Sequence, residues 1–421
     1  MRLIHTRTKQ FKEFYEPNIP KYAILSHRWG EEESTYKEFR KMQASGAALR
    51  KIGMIYKGRS EVAGLEKIER FCEVAVKSWD LEWAWVDTCC IDKRSSAELT
   101  EAINSMYKWY QESALCIVYL ADVECTDAEI ASLKSRNPDL GFSEDSESAS
   151  RSSNTAQQLK DKILASSWFT RGWTLQELIA PNSLHFYDAS WTRMYDRADI
   201  KDEIERKTGI DQWIFFGMSE HRVFRVRWSI AQRMSWASKR VTTRGEDMAY
   251  SLLGLFNVNM PLLYGEGAEK AFLRLQLEII KNSDDETIFS WHNDLYPTLP
   301  AMTGMFAPSP AAFANAHKII RTFAARRPYA MTNKGLELTI PRRHRPEGGL
   351  RSQIIFLNCQ YEGTPGQIAI VLDINYMAAW PQKLITRQNP YVPDRKYSGD
   401  EFHRDLNESH PSTIYLPVPV L

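Results

Sequence analysis

An α/β fold, a parallel sheet with helices on its faces, is predicted for this chain by three observations. Short apolar runs at Tyr22–Ser26, Trp83–Val86 and Leu115–Leu120 each end in polar residues. Helix-period apolar stripes lie between them. The chain is 421 residues long and 43% hydrophobic, enough to bury a core in more than one domain. Strand, helix, strand, helix, strand is the pattern of parallel pairing through helical crossovers.

Each element has its own justification. Tyr22-Ala23-Ile24-Leu25-Ser26 is continuously apolar until its last residue and runs into His27-Arg28-Trp29-Gly30, as a strand buried on both faces feeding a loop. Leu65, Ile68, Cys72, Ala75 and Trp79 recur at a helical period. Trp83-Ala84-Trp85-Val86 is a second strand. Ser95 and Glu98 have the spacing of a capping box, and Leu99, Ala102, Ile103, Met106, Tyr107 and Tyr110 share a helical face behind it. Leu115-Cys116-Ile117-Val118-Tyr119-Leu120 is the third strand. Residues 126–165, with the serine-rich centre Ser143–Ser148 and Ser152-Ser153-Asn154, read as a disordered insertion too polar to build a core. Trp168–Ile179 reads as a loop entering a short helix that stops before Pro181, and Leu184-His185-Phe186-Tyr187 as a fourth strand.

Three regions follow: an α/β domain over 1–194, a helical extension packed on it over 195–285, and a β-rich domain over 286–421. Trp228, Ala231, Met234 and Ala237 share one helical face in the second, and Phe272, Leu275 and Ile279 another. In the third, Gly335–Ile340, Ile354–Leu357 and Ile368–Leu372 are strands between Gly- and Pro-bearing turns, expected to form a small antiparallel domain.

Composition narrows the function classes. Lys and Arg number 54 against 53 Asp and Glu, a formal charge of +1, which argues against a dedicated nucleic-acid or anionic-membrane binder. The arginines at 321, 326, 327, 342, 343 and 345 lack the interleaved aromatics of a base-stacking platform. No secretory h-region opens the chain and no run of about 18 apolar residues occurs, so a soluble cytoplasmic protein without membrane partners is expected. The six cysteines form no C-x-x-C pair, and no metal site is expected.

Five segments together carry a family resemblance: YAILSHRWG at 22–30, VDTCCIDK at 86–93, ELTEAINSMYKWY at 98–110, WFTRGWTLQELIAP at 168–181 and RMSWASKRVTTRGEDMAYSLLGLFNVNMPLLYGEG at 233–267. They resemble the heterokaryon-incompatibility (HET) domain of filamentous fungi and its helical extension, over about residues 20–290 by element order. That resemblance implies allorecognition, in which an incompatible partner protein triggers growth arrest or cell death. A remoter resemblance, to the Toll/interleukin-1 receptor (TIR) domain, implies a flavodoxin-like sheet. Ala23–Ser26 sits where the first strand of that fold ends, and Trp173 and Glu177 have the W-x-x-x-E spacing of its NAD-cleaving members. The TIR sheet has five strands against four found here, so residues 30–60 are expected to supply the fifth. NAD or a related nucleotide is implied as substrate, with no cofactor, and a homo-oligomer as the active form. Trp109 and Tyr110 fit either exposed anchors for that assembly or a broad buried face.

Ligands of doubly wound sheets bind outside the carboxyl ends of the strands. Ser26, His27, Arg28 and Trp29 end the first strand, Asp87, Thr88 and Cys89 follow the second, Asp122 the third, and Glu177 rises beside them on the short helix. Cleaving a nicotinamide–ribose bond needs a carboxylate beside the developing oxocarbenium ion, the role assigned to Glu177. Trp29 and Trp173 offer ring faces for a base, and Arg28 or Arg171 a bidentate partner for the pyrophosphate. Plainer roles stand beside these: Glu177 as a solvated or capping residue, the two arginines in ion pairs with Asp87 or Asp92, and Trp83, Trp85, Trp168 and Trp173 as core. Cys89 and Cys90 near His27 admit a thiol-hydrolase site. Two functions therefore compete, an NAD-hydrolysing incompatibility effector and a non-enzymatic signalling module that self-associates.

Overall fold

The computed structural model describes residues 1–30, 32–44, 61–135, 146–215, 227–291, 305–322, 329–333, 335–341, 352–363, 369–373, 386–388 and 411–416. The chain divides into two compact units, Met1–Ser219 and Glu220–Leu421.

The first unit begins with a hairpin, β1 (Arg2–His5) and β2 (Phe11–Glu13), and continues through β3 (Tyr22–His27), α1 (Tyr36–Ala44), α2 (Glu61–Trp79), β4 (Trp83–Trp85), the single turn α3 (Asp87–Cys90), α4 (Ser96–Glu112) and β5 (Leu115–Tyr119). After α5 (Asp127–Ser135) and α6 (Ser146–Ala165) come α7 (Thr174–Ile179), β6 (Leu184–Tyr187), β7 (Arg193–Asp196) and α8 (Lys201–Thr208). One seven-stranded sheet orders the strands β2-β1-β4-β3-β5-β6-β7. The four strands expected from the sequence are the parallel ones, with Ala23 paired to Ala84 on one side and Leu115 on the other, and Cys116 paired to Leu184. In chain order those four lie 2-1-3-4, so the winding reverses between β3 and β5.

β3 is covered on both sides, and all 6 of its residues are buried, which explains a run without polar alternation. The flanking strands β1, β2 and β7 are antiparallel additions with no parallel counterpart in the sequence reading. Residues 36–44, expected to contribute to a fifth strand, are helical instead, with Phe39 buried; 45–60 lie outside the described residues.

The insertion at 126–165 also differs from expectation. Its flanks are the helices α5 and α6, while 136–145 lie outside the described residues. Leu159, Ile163 and Leu164 are buried at the end of α6, so the serine-rich start hid an amphipathic second half. The expected capping box at Ser95 is half made: Ser95 accepts from the Glu98 amide at 3.3 Å, but the Glu98 carboxylate turns to Arg2 at 2.7 Å and to the Asp92 amide at 2.8 Å.

In the second unit the helices Ile230–Ala237 and Ala268–Lys281 accompany strands of three small sheets. The expected strands appear as Gly335–Pro341, Ser352–Phe356 and Ala369–Asp373, all in antiparallel pairs. Of the arginine-rich stretch, Arg321 pairs with Asp284 at 2.7 Å, and the arginines at 326, 327, 342, 343 and 345 lie outside the described residues.

Candidate functional site

At the winding reversal the carboxyl end of β3 carries two polar groups. Ser26 and His27, successive strand residues, reach into different surroundings.

On the Ser26 side the partner is Glu177, carried by α7. That helix is fixed at both ends. Asp122 accepts from Ser166 Oγ at 2.7 Å, Ser167 N at 2.8 Å and Ser167 Oγ at 2.6 Å, tying down the turn Ser167–Thr170. Thr174 Oγ donates to the Trp168 and Arg171 carbonyls at 2.5 and 2.9 Å. At the other end the buried Arg197 donates to the Leu178 carbonyl at 2.6 Å, supplying a cation where the helix leaves its carbonyls open. Every residue of α7 is buried. Ser26 Oγ donates to Glu177 Oε2 and accepts from the indole nitrogen of Trp168 at 2.9 Å.

Burial pushes the Glu177 carboxyl up to about 7; Asp87 adds to the rise, while the Ser26 hydroxyl, Arg171 and Tyr110 oppose it. A solvated helix residue is excluded, because Glu177 is only 7% exposed. The cost of holding a carboxylate there is of the kind that functional sites carry.

On the His27 side the imidazole lies between two carboxylates, Nε2 3.6 Å from Glu33 Oε2 and Nδ1 4.0 Å from Asp87 Oδ1. Glu33 also accepts from the Gly30 amide at 2.7 Å and Lys67 Nζ at 2.5 Å. Burial opposes its ionisation, but His27 and Lys67 outweigh that and bring its pKa down to about 2. Asp87 Oδ2 accepts from the Trp29 indole at 2.7 Å. Trp29 is 41% exposed; Lys93 Nζ sits 3.4 Å from one of its ring centroids and Arg171 Cζ 5.2 Å. The half-exposed ring thus lies within cation–π reach of one ammonium and one guanidinium.

Of the residues singled out from the sequence, Ser26, Glu177, His27, Asp87, Trp29 and Arg171 thus converge. Trp173 is half-buried at the start of α7, and Arg28 is exposed without a hydrogen bond or ion pair among the described residues. Glu33, Lys67, Lys93, Tyr110 and the donor role of Trp168 were not foreseen. Trp168 did read as core, and it is 1% exposed.

Three readings fall. Asp92 binds Arg94 at 2.7 Å, so it is not the partner of Arg28. Cys89 is fully buried, its Sγ near the Val86 carbonyl at 3.9 Å, and burial holds its thiol well above the usual range, the opposite of an activated nucleophile. Tyr110 is no exposed anchor: it is 1% exposed and donates to the Leu25 carbonyl at 3.1 Å, while Trp109 packs edge-on against Trp85 at 5.6 Å. Among the described residues no three His, Cys, Asp or Glu side chains converge to hold a metal ion.

Residues 22–177 match the model of the heterokaryon incompatibility protein (HET) family, so that segment is similar to a HET domain. The match runs from the first residue of β3 to Glu177 and contains every site residue named from the sequence. The chain is also similar to the vegetative incompatibility protein HET-E-1 of Podospora anserina, 41% identical over 277 residues, which are 64% of this chain and 17% of that protein. It therefore spans less than a fifth of the length of that relative. No solved structure matches significantly. Among the described residues no helix is long and apolar enough to cross a membrane.

Proposed function

We propose that the protein is a heterokaryon-incompatibility effector whose sheet domain hydrolyses NAD at the nicotinamide–ribose bond, with Glu177 as the catalytic carboxylate. One observation carries the reading: a carboxylate buried at the winding reversal, hydrogen-bonded by Ser26, in a position that costs stability. The parallel order 2-1-3-4 supports a flavodoxin-like, TIR-related ancestry for the sheet.

Nicotinamide leaves with the bonding electron pair as a neutral molecule, so no strong acid is needed. The positive charge passes to the ribose, where Glu177 stabilises it; water then adds to the anomeric carbon and releases a proton. A cationic substrate lowers the Glu177 pKa and secures the anion. Trp29 stacks the base, and Arg171 with the exposed Arg28 binds the pyrophosphate. In this reading the protein acts in the cytoplasm as a homo-oligomer, triggered by an incompatible partner protein, and NAD loss kills the cell. The test is release of free nicotinamide from NAD by the purified chain and its absence with Glu177→Gln. A chain that releases none in any state of assembly is the self-associating signalling module instead.

A further inference from the structure

Across β5 from the site at β3, a serine, a histidine and an aspartate are joined in series. Ser183 Oγ lies 3.0 Å from His185 Nε2, and His185 Nδ1 is hydrogen-bonded to Asp196 Oδ1. The antiparallel ladder of β6 and β7 sets two of them opposite each other, since His185 pairs in register with Asp196. Ser183 stands two residues ahead of His185, where the period of a strand brings it to the same face.

The hydrogen bonds fix which atom carries which proton. Asp196 also accepts from Arg193 Nη2 at 2.8 Å. Burial opposes its ionisation, but His185 and Arg193 outweigh that and hold its carboxyl below the ordinary range. An ionised carboxylate accepts and cannot donate, so Nδ1 is the protonated nitrogen of the neutral ring. Nε2 is then an acceptor, and the Ser183 hydroxyl donates to it. That is the polarity of a nucleophile, its base and the group that orients the base.

These parts are held in place while the hydroxyl stays accessible. The Ser183 carbonyl accepts from Cys116 N at 2.9 Å, and the Asn182 carbonyl from the buried Arg197 at 3.4 Å. Trp79, the last residue of α2, packs against the His185 ring at 4.5 Å and donates from its indole nitrogen to Tyr187 Oη at 3.3 Å. His185 is 4% exposed, whereas Ser183 is half-buried and Asn182 exposed. Solvent therefore reaches the serine while its base stays shielded.

We propose that Ser183 is the nucleophile of an acyl-transfer site for small, unhindered esters, with His185 as general base and Asp196 as the positioning residue. Ser183 Oγ bonds to the acyl carbon as its proton passes to His185 Nε2. The ester C–O bond then breaks, and the alcohol leaves with that proton. Water adds to the acyl-serine through the same base, releasing the carboxylic acid and restoring the hydroxyl. This site stands independently of the nucleotide reading above.

The experiment treats the full chain with a fluorophosphonate probe and with p-nitrophenyl acetate, and maps the modified residue by peptide mass. Both reagents should modify Ser183, at least about 10²-fold faster in the folded chain than in urea. Ser183→Ala, which removes one half-buried hydroxyl, should abolish the adduct at an unchanged melting temperature. His185→Gln should slow its formation by about 10²-fold or more. Asp196→Asn should slow it by about ten-fold or more, because the amide can donate to Nδ1 and turn the ring to the wrong tautomer, and Asp196→Glu should recover part of the rate. No adduct at Ser183, a rate equal to that of the unfolded chain, or a rate untouched by Asp196→Asn overturns the proposal and leaves the three residues as a structural link between β6 and β7.

Discussion

Replacing Glu177 by glutamine should stabilise the fold while removing the proposed activity, and the gain should depend on pH in a defined direction. The carboxyl titrates near 7 in the folded chain against an ordinary value of 4.5, because it is buried and faces Asp87. The folded state therefore binds its proton more tightly than the unfolded state. Stability from the neutral form is fully present below about pH 4.5 and is lost as pH rises through about 7. The rise from 4.5 to about 7 corresponds to roughly 3 kcal/mol. Glutamine stays neutral and can still accept from Ser26, giving up only the charged character of that bond, worth about 1 kcal/mol. The variant should thus exceed the parent by about 1–3 kcal/mol at pH 8.5, with the difference fading toward pH 5. Urea unfolding followed by tryptophan fluorescence at several pH values measures it. A difference that is independent of pH, or that favours the parent at pH 8.5, refutes the assignment of a costly buried carboxylate.

Other expectations rest on neighbouring contacts. Gly64→Ala should lower the melting temperature by several degrees and disturb the Glu33 segment, since its Cβ meets backbone rather than a yielding side chain; an unchanged melting curve contradicts the close approach. Trp168→Phe removes the donor that occupies Ser26 Oγ and so frees the serine hydroxyl to turn from Glu177. The Glu177 titration, read from carboxyl carbon shifts, should then move upward, and a fixed titration would separate Trp168 from the site. Arg171→Ala should weaken binding of NAD more than of nicotinamide riboside, which lacks the pyrophosphate; equal losses would assign Arg171 to structure. Specific activity should rise with protein concentration if the assembled form is the active one, and a flat profile down to the monomer would dismiss the oligomer.

The parallel core was legible because strands buried on both faces are written as unbroken apolar runs, as at Tyr22–Leu25 and Leu115–Val118, and because a helical period separates them. The antiparallel strands were not: Arg2–His5, Phe11–Glu13 and Arg193–Asp196 are short and half polar, and they exist through pairing rather than through pattern. The helix at Ser146–Ala165 was obscured by its serines, although Leu159 and Ile163 stand four apart near its end. At the site, Glu177 and the residues after β3 were visible through spacing and position. Glu33 and Lys67 were not, since their meeting depends on a tertiary crossing at Gly64, and no local spacing encodes it.

The most direct measurement is the appearance of free nicotinamide when the purified chain is incubated with NAD, alongside Glu177→Gln at equal concentration and confirmed folding. The account predicts release by the parent and a loss of about 10²-fold or more in the variant. Release by the variant within about five-fold of the parent would contradict it, because an amide in the same place cannot offer the negative charge on which the proposed chemistry depends.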